Sequence, residues 1–90
     1  MLGAMTRMKL EENGYAIDDA TKAITIDPNY VKAYYRRALC YLSIVKLPLA
    51  VADFKKVLKL EPQNQQAKTS LDATQKLIKK IEFEKVRYRP

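Results

Sequence analysis

An all-α protein of stacked antiparallel helix pairs is the fold that three features of this 90-residue sequence predict. Turn material is scarce, since two glycines and four prolines leave little with which to build hairpins. Hydrophobic residues make up 48% of the chain, which suits a folded domain rather than a disordered one. Above all, the chain repeats itself. "AIDDATKAITIDP" at 16–28 and "AVADFKKVLKLEP" at 50–62 superpose without a gap, pairing Ala16 with Ala50, Asp19 with Asp53, Lys22 with Lys56 and Pro28 with Pro62. The offset is 34 residues, the period of a helix–turn–helix solenoid unit.

Taken in order, the first unit covers 1–28 and has an incomplete first helix followed by a second helix with Ala16, Ala20, Ala23, Ile24 and Asp27 at helical spacing. Pro28 ends it, because the residue before a proline is pushed out of the α region. The second unit, 29–62, is complete. Its first helix spans about 31–44 with Tyr34, Ala38, Tyr41 and Leu42 on one face. Pro48 suits the first turn of the next helix, where a missing N–H costs nothing. That helix places Ala50, Phe54, Val57, Leu58 and Glu61 where the first unit has its own stripe, and Pro62 stops it. Residues 63–87 begin like a third unit and run on without a proline. Ala67, Leu71, Thr74, Ile78 and Ile81 form an apolar stripe with Leu77 and Phe83 beside it, as expected of a long helix that caps the last repeat. An exposed coiled-coil or membrane-surface helix is the alternative for this lysine-rich stretch.

Composition excludes several chemistries. With no histidine there is no His-based triad, no zinc site of the usual kind and no imidazole base, so neither a catalytic site nor a cofactor is expected. Asp18, Asp19, Asp27 and Asp53 do not form a metal-ligand loop and are assigned to solvated helix surfaces or helix ends. A single cysteine, Cys40, rules out an internal disulfide and fits a reducing compartment. "MLGAM" is too short for the apolar core of a signal peptide, and no stretch reaches membrane-spanning length. The expected compartment is the cytoplasm or the nucleus, with no membrane partner.

The second unit carries the signature of the tetratricopeptide repeat. Tyr34 stands at the large aromatic position, Ala38 at the small one and Tyr41 at the second aromatic, and Ala50, Phe54 and Pro62 follow at their places. Arg37 departs from the pattern where leucine is common, and so does Val57 where alanine is. The first unit keeps Ala16, Ala23 and Pro28 but has Ala20 at an aromatic position. The resemblance implies a right-handed superhelix of helix pairs, with the first helix of each unit lining a concave groove.

"VKAYYRRALCYL" at 31–42 poses the functional question. Lys32 and Arg36 lie four residues apart and project from one helical face, an arrangement that costs a few tenths of a kcal/mol in isolation. An acidic ligand would reverse that sign. Lys9 falls near the end of the equivalent inner helix of the first unit and adds a third cation to the groove. "KAYYRRA" resembles half of the dicarboxylate clamp of chaperone-binding tetratricopeptide domains, in which a lysine and an arginine one turn apart hold a terminal carboxylate and an aspartate side chain. The resemblance therefore implies that Lys9, Lys32 and Arg36 bind the acidic EEVD-type C-terminal tail of a heat shock chaperone. Arg37 points elsewhere and is expected to pair with Asp18 or Asp19.

Among clamp-bearing families the stretch from Lys9 to Leu42 and "KKIEFEKV" resemble the repeat domain of the serine/threonine protein phosphatase 5 family. That implies a phosphatase catalytic domain in a parent protein. The family domain has three repeats. This chain resembles the second and third, and a clamp asparagine of the family would align near Leu2. The expectation is a partial clamp that binds weakly. Leu2, Met5, Met8 and Leu10 are expected to stand partly uncovered, favouring self-association through that end. A net charge of +7 would attract phosphates, but no base-reading motif is present and the tyrosines fall at packing positions, so a nucleic acid is the lesser alternative.

Overall fold

The computed structural model describes residues 2–87, with side chains placed over 10–85. The described residues form α1 (Leu2–Ile26), α2 (Val31–Ser43), α3 (Leu47–Leu60) and α4 (Gln65–Arg87). Each helix packs on the next in chain order, α1 on α2, α2 on α3 and α3 on α4. This is the all-α stack of helix pairs that the repeat predicts.

The two proline turns are built alike, as the internal alignment requires. In the first, the Tyr30 N–H donates to the Asp27 carbonyl at 3.0 Å; in the second, the Asn64 N–H donates to the Glu61 carbonyl at 3.0 Å. Pro28 and Pro62 occupy the second position of each turn, where a fixed φ near −65° is already the required one. The Asp27 carboxylate also accepts the Asn29 N–H at 3.1 Å. Asn64 then caps α4, its side-chain oxygen accepting the Ala67 N–H at 2.9 Å.

Between α2 and α3 the chain reverses in three residues. Lys46 N–H donates to the Tyr41 carbonyl at 2.8 Å and Val45 N–H to that of Leu42 at 3.0 Å, the paired bonds of a Schellman ending. Such an ending needs a left-handed residue, and here it is Val45, with φ 60°. Pro48 follows in the first turn of α3.

The first unit differs from the sequence expectation. The incomplete inner helix and the turn expected within 1–28 are replaced by one unbroken helix over Leu2–Ile26. The register supplies the reason. Thirty-four residues before Pro48 stands Gly14, which has a helical φ and nothing within 4 Å of where a Cβ would sit. A proline at that place obstructs a continuous helix by about 3 kcal/mol, whereas a glycine costs only about 1 kcal/mol, so the break enforced at 44–46 is not enforced at 10–12.

The core lies in the seams on either side of α3. Ala38 and Ala50 are fully buried and let α2 and α3 approach closely, so that Phe54 fills the space between them. The Tyr35 ring meets Phe54 edge-on at 5.7 Å. A second cluster joins Tyr34, Val57 and Ala67, bringing α4 into the same core, and the Tyr34 hydroxyl donates to the Pro28 carbonyl at 2.9 Å. The α4 stripe sits as expected: Ala67 and Thr74 are buried and Leu71, Ile78 and Ile81 half-buried. Leu77 and Phe83, expected beside it, face outward instead, Phe83 with 68% of its surface exposed.

Val45 carries the cost of its conformation, which for an L-residue is roughly 1–2 kcal/mol. Val45→Gly removes that cost and adds unfolded-state freedom worth less, so it should stabilise the chain by about 1 kcal/mol. Urea unfolding checks this: a higher midpoint is expected, and a lower one would mean that the Val45 side chain contributes more than its backbone costs.

Candidate peptide-binding site

Three cations sit on α2, and the packing divides them into two kinds. Lys32 and Arg36 are exposed, one turn apart on one face. Neither side chain makes a hydrogen bond or ion pair with any described residue. Arg37, the next residue, is committed inward.

Arg37 grips Asp53 of α3 with both prongs: Nε to Oδ2 at 2.7 Å and Nη2 to Oδ1 at 2.7 Å. The pair is well removed from water, with side-chain exposures of 19% for Arg37 and 6% for Asp53. Nη1 reaches across to the Thr21 hydroxyl on α1 at 3.2 Å. The guanidinium also lies 5.8 Å from the Tyr34 ring centre and 5.9 Å from that of Tyr41, so one side chain links three helices and two aromatic rings. The hydrogen bond to Asp53 raises the Arg37 pKa above the ordinary arginine value, against the opposing effect of burial. Two sequence expectations are corrected. Arg37 pairs with Asp53 rather than Asp18 or Asp19, because its side chain turns toward the α2–α3 seam. Asp53 is therefore a buried partner and not a solvated surface acid.

Arg36 borders a cleft of about 210 Å³ between α1 and α2. Its floor is Ala16, Ala20 and Ala23 from α1 and Ala33 from α2, and Asp19 and Tyr30 share the rim with Arg36. Asp19 is exposed, and no hydrogen bond or ion pair joins it to Arg36. On the other side of α2 a groove runs between Tyr35 and the start of α4, where Gln65, Gln66, Thr69 and Ser70 line it. Gln66 and Ser70 stand 34 residues after Lys32 and Arg36, so the inner face continues from cationic groups to neutral hydrogen-bonding ones. Charge and spacing do not single out these residues in the sequence, although the same register that locates the repeat leads to them.

Lys9 lies on α1, and its side chain is outside the described residues, as are those of Leu2, Met5 and Met8. It does not stand on a separate inner helix, because α1 is continuous. Leu10, at the edge of the described side chains, is 50% exposed. Cys40, on α2, is partly covered, and burial pushes its thiol pKa up, which disfavours the reactive thiolate. Among the described residues, no group of three or more acidic or cysteine side chains could hold a metal, and no helix is long and apolar enough to cross a membrane.

Chemically, an exposed ammonium and guanidinium at one turn's spacing suit a carboxylate. Such charge-assisted bonds contribute roughly 1.5–3 kcal/mol when desolvated and nearer 1 kcal/mol on an open surface like this one.

Comparison with known proteins bears on the same helices. Residues 31–64 match the family model described as Tetratricopeptide repeat. The chain is 50% identical over 82 residues to a serine/threonine-protein phosphatase T of Aspergillus oryzae (strain ATCC 42149 / RIB 40), covering 91% of the chain and 17% of that protein. It is 35% identical over 82 residues to serine/threonine-protein phosphatase 5 of Homo sapiens, covering 91% of the chain and 16% of the relative. With peptidyl-prolyl cis-trans isomerase FKBP4 of Bos taurus it shares 41% identity over 86 residues, 94% of the chain and 19% of the relative. The chain thus spans less than a fifth of the length of each of these relatives.

Removing one member of the buried pair strands the other. Arg37→Leu should destabilise the chain by about 3 kcal/mol because Asp53 loses both its hydrogen bonds, while Arg37→Leu/Asp53→Leu should recover most of that loss. Chemical unfolding of the two variants checks it. Equal losses in both would mean that the aromatic stacking of Arg37, not the carboxylate pairing, carries the stabilisation.

Proposed function

Since this chain is a tetratricopeptide repeat domain, a protein–protein interaction module, we propose that it binds the acidic EEVD-type C-terminal tail of heat shock protein 90 family chaperones through a partial dicarboxylate clamp. Lys32 and Arg36 hold carboxylate groups of the tail, and Lys9 adds charge from α1. The observation that carries this reading is the division of labour on α2. Arg37 is consumed by Asp53, whereas the side chains of Lys32 and Arg36 stay exposed and unpaired among the described residues, in a stretch whose sequence resembles half of such a clamp. Two like charges one turn apart are mildly destabilising without a ligand, and a dicarboxylate converts that cost into attraction. In a longer parent related to the phosphatases above, the module would recruit a chaperone beside a catalytic domain.

The test is titration with an acetylated EEVD-ending peptide, its C-terminal amide, and the Lys32→Ala/Arg36→Ala chain, followed by calorimetry. Two bonds of about 1 kcal/mol each on an open groove correspond to a loss of roughly 30-fold in affinity for the double variant. The amide should bind more weakly than the free acid. Equal binding by both peptides to both chains would sink the carboxylate reading. If binding fell steeply with salt and ignored the free carboxylate, non-specific attraction to polyanions would replace it.

A further inference from the structure

The cleft between α1 and α2 is the seat of an inner helix, and we infer that the N-terminal segment of a second copy of this chain occupies it. The 34-residue register shows what the cleft is for. Its residues Ala16, Asp19, Ala20, Ala23 and Ala33 advance by that register to Ala50, Asp53, Phe54, Val57 and Ala67. Every one of those five counterparts is buried. What they pack against includes α2, through Tyr34, Ala38 and the Arg37–Asp53 pair. In the first unit part of the same surface lies open: Ala20 and Ala33 are covered where α1 meets α2, but Ala16 and Asp19 are exposed and Ala23 only half-buried.

The register also names the occupant. Thirty-four residues before α2 comes the stretch ending at Lys9, with Ala4 at the place of Ala38 and Met8 at the place of Leu42. Small and large apolar residues therefore recur where the seat needs them. Yet α1 is straight through 10–12, the positions where α2 turns back into α3, so the segment is carried away from its own seat. A helix pair straightened at its hinge is the open form of an exchanged element, and two such chains satisfy each other reciprocally about a two-fold axis. Arg36 borders the seat. On the carboxylate reading, exchange would also set position 9 of one copy at the groove of the other, but the exchange itself does not depend on that reading.

Cysteine pairing tests it in a Cys40→Ser background. Ala38 and Ala50 belong to one packed cluster, so their counterparts, Ala4 and Ala16, should meet across the seat. Ala16 is exposed, and Ala16→Cys should leave the fold of a single chain unchanged. The chain carrying both Ala4→Cys and Ala16→Cys should become a disulfide-linked dimer under mild oxidation. A mixture of the two single variants should cross-link likewise, and light scattering of the unaltered chain should give twice the chain mass. An internal disulfide in a monomer would overturn the proposal, because the chain would then close on itself. A monomeric mass with no cross-link would overturn it too. Neither readout uses an acidic peptide, so its failure is separate from failure of the carboxylate reading.

Discussion

The ion pair between Arg37 and Asp53 fixes how α2 sits, and the rest of the chain follows from it. Both prongs of the guanidinium are held at 2.7 Å by a carboxylate that is almost wholly buried. A fork of that geometry admits little rotation of α2 about its axis. Once Arg37 faces α3, Arg36 and Lys32 must face away from it, since adjacent helical residues are about 100° apart. The same rotation turns Ala38 toward Ala50 and Phe54, so the close approach in the core and the open display of two cations have one cause. Burying an ion pair is an expensive way to gain stability, and a leucine would pack in its place. What the pair adds is direction.

Much of this arrangement is legible in the sequence. The 34-residue offset locates both proline turns, and the two are built with the same 3.0 Å bond. It also places Phe54, Ala38 and Ala50 in one seam, because a period of helical turns and a fixed proline leave few other arrangements. Arg37 stands out as an anomaly where leucine is common, but its partner does not. Asp18 and Asp19 are near in the alignment, whereas Asp53 is near in space, across a helix contact that sequence spacing alone does not rank.

The unbroken α1 is hidden for a related reason. Repeat reasoning carries the turn of the second unit onto the first by analogy. The turn in the second unit, however, is enforced by Pro48, and the first unit has Gly14 there. A repeat therefore transfers positions more faithfully than it transfers the forces that hold them. The same applies to Val45, a β-branched residue at a left-handed position that its sequence neighbourhood does not advertise. Phe83, placed beside the apolar stripe by spacing, faces outward because it lies about 200° around α4 from the half-buried Ile81.

The division of cations on α2 is the claim on which the functional reading turns, and side-chain NMR of the two arginines tests it most directly. With an acetylated peptide ending in a free carboxylate, the Arg36 Nε–H resonance should move on titration while that of Arg37 stays fixed, already slow to exchange through its bond to Asp53. Movement of Arg37 together with Arg36, or shifts confined to the lysines of α4 with Arg36 unmoved, would contradict the account.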